Sequence, residues 1–322
     1  MSFTLVGKHE KDARGNRDGY VNAMLELMAE DPTIVHVDCD LMSCINTTKL
    51  LKAYPDRTFN AGIAEANGMG VAAGLAATGK KAFYHSFGCF ASRRCFDQAY
   101  LSAGYSKLNV KVIGSDPGVC AEVNGGTHMP FEDCGLYLNI PNAVVIDSAD
   151  YNQTYALTKR LAKDCTTLSY MRLIRKGHIQ VYGDGSDFEI GKGVTLKDGN
   201  DVTIIASGIM VDQALQAQEA LAAEGISARV IDMFTWKPLD VDLILKAAAE
   251  TGAIVTAENH QVETGLGSAI ANVLIKNKPV PVEMVGIQNE FGQVGGIAAL
   301  RKIYHLEPED IVAAAKKVIS RK

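Results

Sequence analysis

Strand-like and helix-like segments alternate along the chain. Short, apolar, β-branched runs predict buried parallel strands, and apolar residues recurring every three or four positions predict helices. In the first half, strands are expected at 33–37, 81–85, 110–114, 143–147 and 167–172, and helices at 19–29, 65–77, 91–105 and 151–164. This alternation indicates parallel sheets that are covered by helices on both faces.

A Gly- and Asp-rich stretch, 177–200, interrupts the alternation, which then resumes. The second half has expected strands at 201–206, 227–232, 253–257 and 282–285, and expected helices at 211–224, 240–250, 267–277 and after Leu306. The pattern therefore predicts an α/β protein with two doubly wound domains and mainly parallel sheets. We place the first domain at 1–180, a linker at 181–194 and the second domain at 195–322.

Composition narrows the class of protein. The 322 residues are 47% hydrophobic and 21% charged, which is typical of a folded globular protein. The 32 basic and 37 acidic side chains give a net charge of −5, so we expect neither a nucleic acid nor a membrane as partner. No apolar run approaches the ~18 residues of a membrane span, and no signal-peptide core is visible.

The seven cysteines contain no CxxC pair. That usage is typical of reduced thiols in a cytoplasmic protein, and it argues against a disulfide framework or a zinc site. We therefore expect a cytoplasmic location and no metal held by this chain alone.

Glu65 begins a predicted helix of small residues within the segment FNAGIAEANGMGVAAGLA, 59–76. A carboxylate at a helix start is commonly solvated and stabilised by the helix dipole. Here the neighbouring residues are small and apolar, which predicts burial, and a buried carboxylate needs a partner. Glu65 is therefore a candidate functional residue.

Two further segments follow predicted strands. Phe87 and Phe90 lie in SFGCF; such a pair is commonly core packing, but the carboxyl end of a parallel strand is also where α/β proteins bind ligands. The loop NGGTH, 124–128, combines two glycines, which allow a ligand close to the backbone, with His128. Together these segments favour a binding site at one edge of the first sheet.

Taken in order, GIAEANGMGVAAGLA, SFGCF, NGGTH and YMRL resemble the pyrimidine-binding domain of the transketolase family. DVTIIASG, EGISARVIDMFTWKPLD, ETGAIVTAENH and GLGSAIANVL resemble its C-terminal domain, so the resemblance covers nearly the whole chain. It implies transfer of a two-carbon ketol unit from a ketose to an aldose, with thiamine diphosphate as the cofactor.

The resemblance also implies the residues that face the cofactor. Glu65 matches the glutamate that hydrogen-bonds N1′ of the cofactor's pyrimidine and shares a proton with it. Phe87 and Phe90 match residues that pack on that ring. Leu41 and Ile63 lie where the family places apolar support for the cofactor.

Substrate residues follow from the same resemblance. Arg17 and Arg172 match two arginines that bind the terminal anion of the sugar, a role that suits the planar guanidinium. His128 matches a histidine that contacts the hydroxyls near C1 and C2, and with Glu65 it forms the predicted catalytic pair.

Three positions depart from the family pattern. Asn124 stands where an aspartate usually contacts a ketose hydroxyl, and Cys44 where a phosphate-binding serine is common. Asp116 stands where a phosphate-binding histidine is expected, and its carboxylate would repel a phosphate dianion more than a monoanion. We therefore expect a phosphorylated or otherwise anionic ketose as substrate, with the common pentose phosphates as poor donors.

The metal–diphosphate half of a thiamine site is expected on a second chain. Its signature is Gly-Asp-Gly followed about 25–30 residues later by Asn, because Asp and Asn oxygens hold the metal. The triplet at 183–185 is followed by Asn200, which is too near, and Asn259, which is too far, so we interpret it as a turn.

The sequence therefore predicts the C-terminal subunit of a split transketolase, active only with an N-terminal partner subunit. That partner would bind Mg²⁺ or Ca²⁺, and both chains would assemble into a heterotetramer. Two alternatives stay open: the β subunit of a 2-oxo-acid dehydrogenase E1, and a non-catalytic scaffold of the same fold. NGGTH and GIAEAN fit transketolase better, and a scaffold would not need Glu65 or His128.

Overall fold

Two open sheets organise the chain in the computed structural model, which describes residues 2–322. The first part contributes strands β1 Ile34–Asp38, β2 Thr58–Asn60, β3 Lys81–Phe87, β4 Val110–Ser115, β5 Val144–Asp147 and β6 Ser169–Leu173. Its helices are α1 Asn16–Glu30, α2 Thr48–Ala53, α3 Glu65–Ala77, α4 Gly88–Ala91, α5 Phe96–Gln98, α6 Asp133–Leu138 and α7 Tyr151–Asp164.

The second part repeats the alternation. Its strands are β7 Val194–Lys197, β8 Val202–Ala206, β9 Ala228–Asp232, β10 Thr235–Lys237, β11 Ile254–Gln261 and β12 Val282–Ile287. Its helices are α8 Met210–Ala223, α9 Val241–Thr251, α10 Leu266–Asn277, α11 Ile297–Ile303 and α12 Pro308–Ile319. Side chains of Asp150 and Asp240 cap α7 and α9 by accepting backbone N–H groups, as expected of N-cap aspartates.

The sheets are mainly parallel, which confirms the predicted fold class. The second sheet has the order β12-β11-β8-β9-β7, and only β7 runs antiparallel to its neighbour. The first sheet has the order β10-β5-β6-β4-β3-β1-β2, with β10 antiparallel at its edge.

Strand β10 was not predicted, and it joins the first sheet although it lies in the second half of the chain. Its Trp236 is buried and donates from Nε1 to Oγ of Ser207 at 2.9 Å. The Nζ of Lys237 donates to the carbonyls of Leu138 and Ile140, both at 2.7 Å. The two bonds of Lys237 and the pairing of β10 with β5 tie the two halves together, while the domain boundaries themselves stay a prediction.

One predicted helix, 91–105, is wrong as a continuous element. Short helical pieces replace it, including α5 and a wide turn over Ala99–Tyr105. The break falls at Ser92, whose φ and ψ of −112° and −83° are not helical and whose Oγ bonds back to the carbonyl of Gly88 at 2.6 Å. Serine competes for backbone partners in this way, and hydrophobic periodicity does not register it.

The parallel arrangement brings the carboxyl ends of β1, β3, β4 and β6 to one edge of the first sheet. The Gly-Asp-Gly triplet forms the predicted turn, with Gly185 at a φ of 79° and Asp184 paired to Arg14. Across residues 2–322, no helix has the length and apolar character that a membrane span requires.

Candidate active site

Glu65 is the first residue of α3 and is 3% exposed. Its Oε1 accepts a hydrogen bond from Nη1 of Arg94 at 2.8 Å, which supplies the partner that a buried carboxylate needs. Its backbone carbonyl accepts from the hydroxyl of Tyr84 at 3.1 Å, which fixes the start of α3 against β3. Arg94 was not singled out in the sequence.

An aromatic cluster lies beside this ion pair. The rings of Phe87 and Phe90 have centroids 6.2 Å apart, and His128 stands edge-on to both, at 5.9 and 5.1 Å. The guanidinium of Arg94 lies 3.9 Å from the centroid of Phe90. The structure therefore brings together Glu65, both phenylalanines and His128 from three separate sequence segments.

Part of this cluster lines an open pocket of about 500 Å³, whose walls are Cys89, Phe90, Arg93, Arg94, Thr127 and His128. Nδ1 of His128 lies 2.9 Å from Oγ1 of Thr127, which orients the imidazole. The pocket wall has the Phe90 ring and a histidine, and the buried carboxylate of Glu65 lies next to it through the bond to Arg94. A flat heterocycle with one ring nitrogen near a carboxylate fits that set of groups.

Leu41 and Ile63 lie at the same edge of the sheet. Leu41 follows β1, and its N–H donates to Oδ1 of Asp38 at 2.6 Å. Burial would raise the pKa of Asp38, but the buried His85, 2.7 Å from Oδ2, and His36 together lower it. Ile63 is 78% exposed and lies two residues before the start of α3.

The loop after β4 carries Asp116, Asn124 and His128. Asp116 and Glu122 both have positive φ, 58° and 48°, which is uncommon for residues with a side chain. Asn124 is half-buried, and its side-chain amide has no hydrogen-bond partner within residues 2–322. Such strain is commonly found where a loop must present polar groups to a ligand.

Asp116 is 2% exposed and pairs with Nη2 of Arg175 at 2.9 Å. Burial raises the pKa of Asp116 to about 6, although Arg175 opposes that rise. The repulsive carboxylate expected from the sequence is thus already paired with a cation. The Asp116 carboxylate therefore lowers the net positive charge that Arg175 would offer to an anion.

Arg17 and Cys44 contact each other. Arg17 lies in the first turn of α1, and its Nη1 donates to the carbonyl of Cys44 at 2.7 Å. The Nε of Arg17 is buried without a partner, as is the Nε of Arg175. The backbone around Gly15 packs against Arg175, since a Cβ on Gly15 would lie 3.1 Å from the Arg175 carbonyl. Both arginines therefore lie near the start of α1.

Arg172 does not fit the substrate contact expected of it. The residue is 1% exposed, and its guanidinium bonds to both carboxylate oxygens of Asp133, at 2.5 and 3.0 Å. Its Nη1 also lies 3.5 Å from Asp147 and donates to the carbonyl of Asn259 at 3.1 Å. These partners occupy the guanidinium inside the protein, so Arg172 has no surface for a sugar anion.

Arg175, three residues further on, has a 22% exposed side chain and lies 5.6 Å from the ring of Phe87. It is the arginine of this segment that reaches the site. The motif YMRLIRK contains both arginines: Arg172 lies within β6, and Arg175 follows its end. Strand alternation alone does not show which arginine reaches the site; a prediction of where β6 ends is the signal that could have distinguished them.

Comparison with known proteins agrees with this arrangement. Residues 13–177 match the family model "Transketolase, pyrimidine binding domain", and residues 191–311 match "Transketolase, C-terminal domain". The 6-deoxy-6-sulfo-D-fructose transketolase subunit SqwH of Clostridium sp. (strain MSTE9) is 46% identical over 95% of each chain.

Two further proteins support the match. An apulose-4-phosphate transketolase subunit of Phocaeicola vulgatus is 37% identical over 95% of this chain and 97% of that one. A solved structure described as "Split gene transketolase, inactive beta4 tetramer" superposes with a TM-score of 0.89 and 44% identity, covering 95% of this chain and 98% of the other.

The fold and the two matched family models define a two-domain α/β protein, with a pyrimidine-binding domain followed by a C-terminal domain. The chain belongs to the transketolase family, and it corresponds to the C-terminal subunit of split-gene members. This confirms the predicted family and activity, and it favours transketolase over the dehydrogenase subunit and the scaffold.

Proposed function

We propose that this chain forms the pyrimidine-side half of a thiamine-diphosphate site and the sugar-binding wall beside it. The observation that carries the proposal is the buried Glu65–Arg94 pair next to the Phe87, Phe90 and His128 rings. When bound, thiamine diphosphate supplies the carbanion chemistry that cleaves and transfers a ketol unit.

Each residue of the cluster has a role that its environment supports. Glu65 accepts the N1′ hydrogen bond and shares its proton, since its Oε2 has no donor among residues 2–322. Phe87 and Phe90 pack on the aminopyrimidine, and Leu41 and Ile63 provide apolar support. His128, held by Thr127, contacts the sugar hydroxyls near the bond that breaks.

Arg17 and Arg175 bind the terminal anion of the ketose, and Asn124 bonds a hydroxyl. The buried, unpartnered Nε atoms of the two arginines support this assignment, because buried donors need acceptors. Arg175 replaces Arg172 in this role. SqwH is named for a sulfonated ketose, and a sulfonate monoanion suits an arginine that Asp116 already partly neutralises.

The metal and the diphosphate belong to an N-terminal partner subunit in this proposal. Within residues 2–322, no group of three or more His, Cys, Asp and Glu side chains could hold a metal ion. We propose Mg²⁺ or Ca²⁺ on the partner and a heterotetramer of two copies of each chain. The seven free cysteines, six of them buried, support a cytoplasmic location.

Reconstitution tests the proposed function. The chain is mixed with an N-terminal transketolase subunit, Mg²⁺ and thiamine diphosphate, and ketol transfer from anionic ketoses to an aldose is followed. We expect activity only from the pair, with none from either chain alone and turnover lower by several orders of magnitude in a pair carrying Glu65→Gln. Full activity of the single chain, or a Glu65→Gln pair as active as the parent pair, would overturn the proposal.

A further inference from the structure

The carboxyl end of β11, in the second domain, contacts the substrate loop of the first domain through three consecutive residues. Asn259 bonds the loop near residue 118, Gln261 donates its N–H to the carbonyl of Phe131 at 2.8 Å, and His260 accepts from the N–H of Gly135 at 3.2 Å. The segment between these points, 117–135, carries Asn124 and His128.

Asn259 makes the tightest of these contacts. It is 2% exposed; its Oδ1 accepts from the N–H of Val119 at 3.0 Å, and its Nδ2 donates to the carbonyl of Pro117 at 3.0 Å. Only a side chain with a donor and an acceptor at this length satisfies both groups. The amide therefore holds the two backbone positions on either side of Gly118.

Gly118 shows how closely the two elements fit. Its φ is +52°, and a Cβ at this position would lie 2.2 Å from Oδ1 of Asn259. The chain reverses at Gly118, and the side-chain amide of Asn259 lies directly against this glycine. Asp116 and Glu122, on either side of Gly118 in the chain, also have positive φ. A loop with three such residues needs outside contacts to keep one conformation.

The contacts of Asn259 extend in the other direction to the buried ion network. Its backbone carbonyl accepts from Nη1 of Arg172, whose guanidinium is bonded to Asp133. Burial lowers the pKa of His260 to about 4, so its imidazole is neutral near pH 7; Nδ1 then donates to the carbonyl of Gln261 and Nε2 accepts from Gly135. The contacts of Asn259, His260 and Gln261 with the segment 117–135, called the clamp below, are therefore supported by buried, hydrogen-bonded groups.

We propose that Asn259 is a positioning residue for ketol transfer, which holds the loop 116–124 in the conformation that presents Asn124 to the sugar and keeps Asp116 beside Arg175. The inference rests on the proposed function. It gives the second domain a part in substrate binding although none of its residues lines the pocket beside Glu65.

Kinetics of the reconstituted pair test the inference. Asn259→Asp keeps the shape and the acceptor but loses the donor to Pro117, and Asn259→Ala loses both. We expect KM for the ketose donor to rise at least tenfold in Asn259→Asp and further in Asn259→Ala. The half-saturating thiamine diphosphate concentration should change less than twofold, because Glu65, Phe87 and Phe90 lie outside the clamped segment.

Asn272→Asp is the matched control, since Asn272 is exposed on α10 and bonds only within its helix; we expect it to behave as the parent. Unchanged donor KM in Asn259→Ala, or equal losses in donor and cofactor affinity, would overturn the inference. A general loss of packing would produce those equal losses, and a positioning role would not.

Amide hydrogen exchange of the full chain provides a second test that does not need activity. We expect faster exchange at residues 118–124 in Asn259→Asp, with α3 and β3 unchanged. Unchanged exchange in the loop would overturn the clamp. If the parent pair shows no ketol transfer, the proposed function fails, while the exchange result still decides whether Asn259 holds the loop.

Discussion

Nη1 of Arg94 lies 2.8 Å from Oε1 of Glu65, and the same guanidinium lies against the ring of Phe90. One side chain therefore joins the carboxylate and the aromatic wall of the site. Arg94 lines the pocket and is half-exposed, whereas Glu65 is buried. The sequence indicated that Glu65 needed a partner, and Arg94 is that partner.

Glu65→Gln is expected to fold normally and to lower turnover of the reconstituted pair by several orders of magnitude. The amide has the same shape as the carboxylate but cannot share a proton with N1′. Exchange of the C2 proton of bound thiamine diphosphate, measured by NMR, isolates this step. Exchange at the parent rate in the variant would remove Glu65 from the role.

Arg94→Met should weaken the same step by about tenfold to a hundredfold, in the range typical of groups that assist proton transfer. The variant keeps much of the apolar stem of Arg94 but removes the cation that holds Oε1 of Glu65 in place. C2 proton exchange and cofactor affinity are the measurements. Arg160→Met is the control, because Arg160 lies on α7, away from the site, and pairs with Asp164 and Asp187. Exchange at the parent rate in Arg94→Met would contradict the assignment.

Hydrophobic periodicity predicted the alternation of strands and helices because buried parallel strands and amphipathic helices have distinct repeats. It could not predict β10, a three-residue strand whose place depends on an edge formed about 90 residues earlier in the chain. The motifs likewise selected Glu65, Phe87, Phe90 and His128, which the structure brings together, while their roles stay predictions. Asn259 could not be identified from sequence, since its function depends on contacts across 140 residues.

The two arginines of YMRLIRK are expected to respond differently to substitution. Arg172→Met leaves Asp133 and Asp147 buried without their cation, which should lower the free energy of unfolding by about 3–5 kcal/mol. Arg175→Met removes the cation of one carboxylate, Asp116, from a partly exposed pair, so it should lower the free energy of unfolding less than Arg172→Met does and should raise KM for anionic donors. Urea denaturation and donor kinetics separate the two; a stable Arg172→Met with a selective KM defect would restore Arg172 as the anion-binding residue.

His178 should make the stability of the chain pH-dependent. It is almost fully buried, and burial lowers its pKa to about 4 from 6.5, while Arg301 and Lys11 lower it further and Asp212 opposes them. The unfolded chain binds the proton more readily, so His178 costs stability as pH falls from 6.5 towards 4.

The free energy of unfolding of His178→Gln, relative to that of the parent, should therefore rise by on the order of 2 kcal/mol as the pH falls from 7 to 5. His305→Gln is the control, because the His305 side chain is 77% exposed. A constant difference between His178→Gln and the parent across this range would show that His178 is not held neutral in the fold.

Asp116 is expected to set the preference between donor anions. Its carboxylate lies 2.9 Å from Arg175, so a donor's terminal group meets a cation already paired with an anion. At ~5 Å and an effective dielectric of about 20, each further like-charge pair costs on the order of 3 kcal/mol, so a phosphate dianion is penalised more than a sulfonate monoanion.

Asp116→Asn removes that carboxylate and should raise kcat/KM for xylulose 5-phosphate relative to a 6-sulfo ketose by at least tenfold. Asp242→Asn, on the exposed start of α9, is the charge-matched control. If the parent pair already uses common ketose phosphates at ordinary transketolase efficiency, and Asp116→Asn leaves the ratio unchanged, Asp116 does not select the anion.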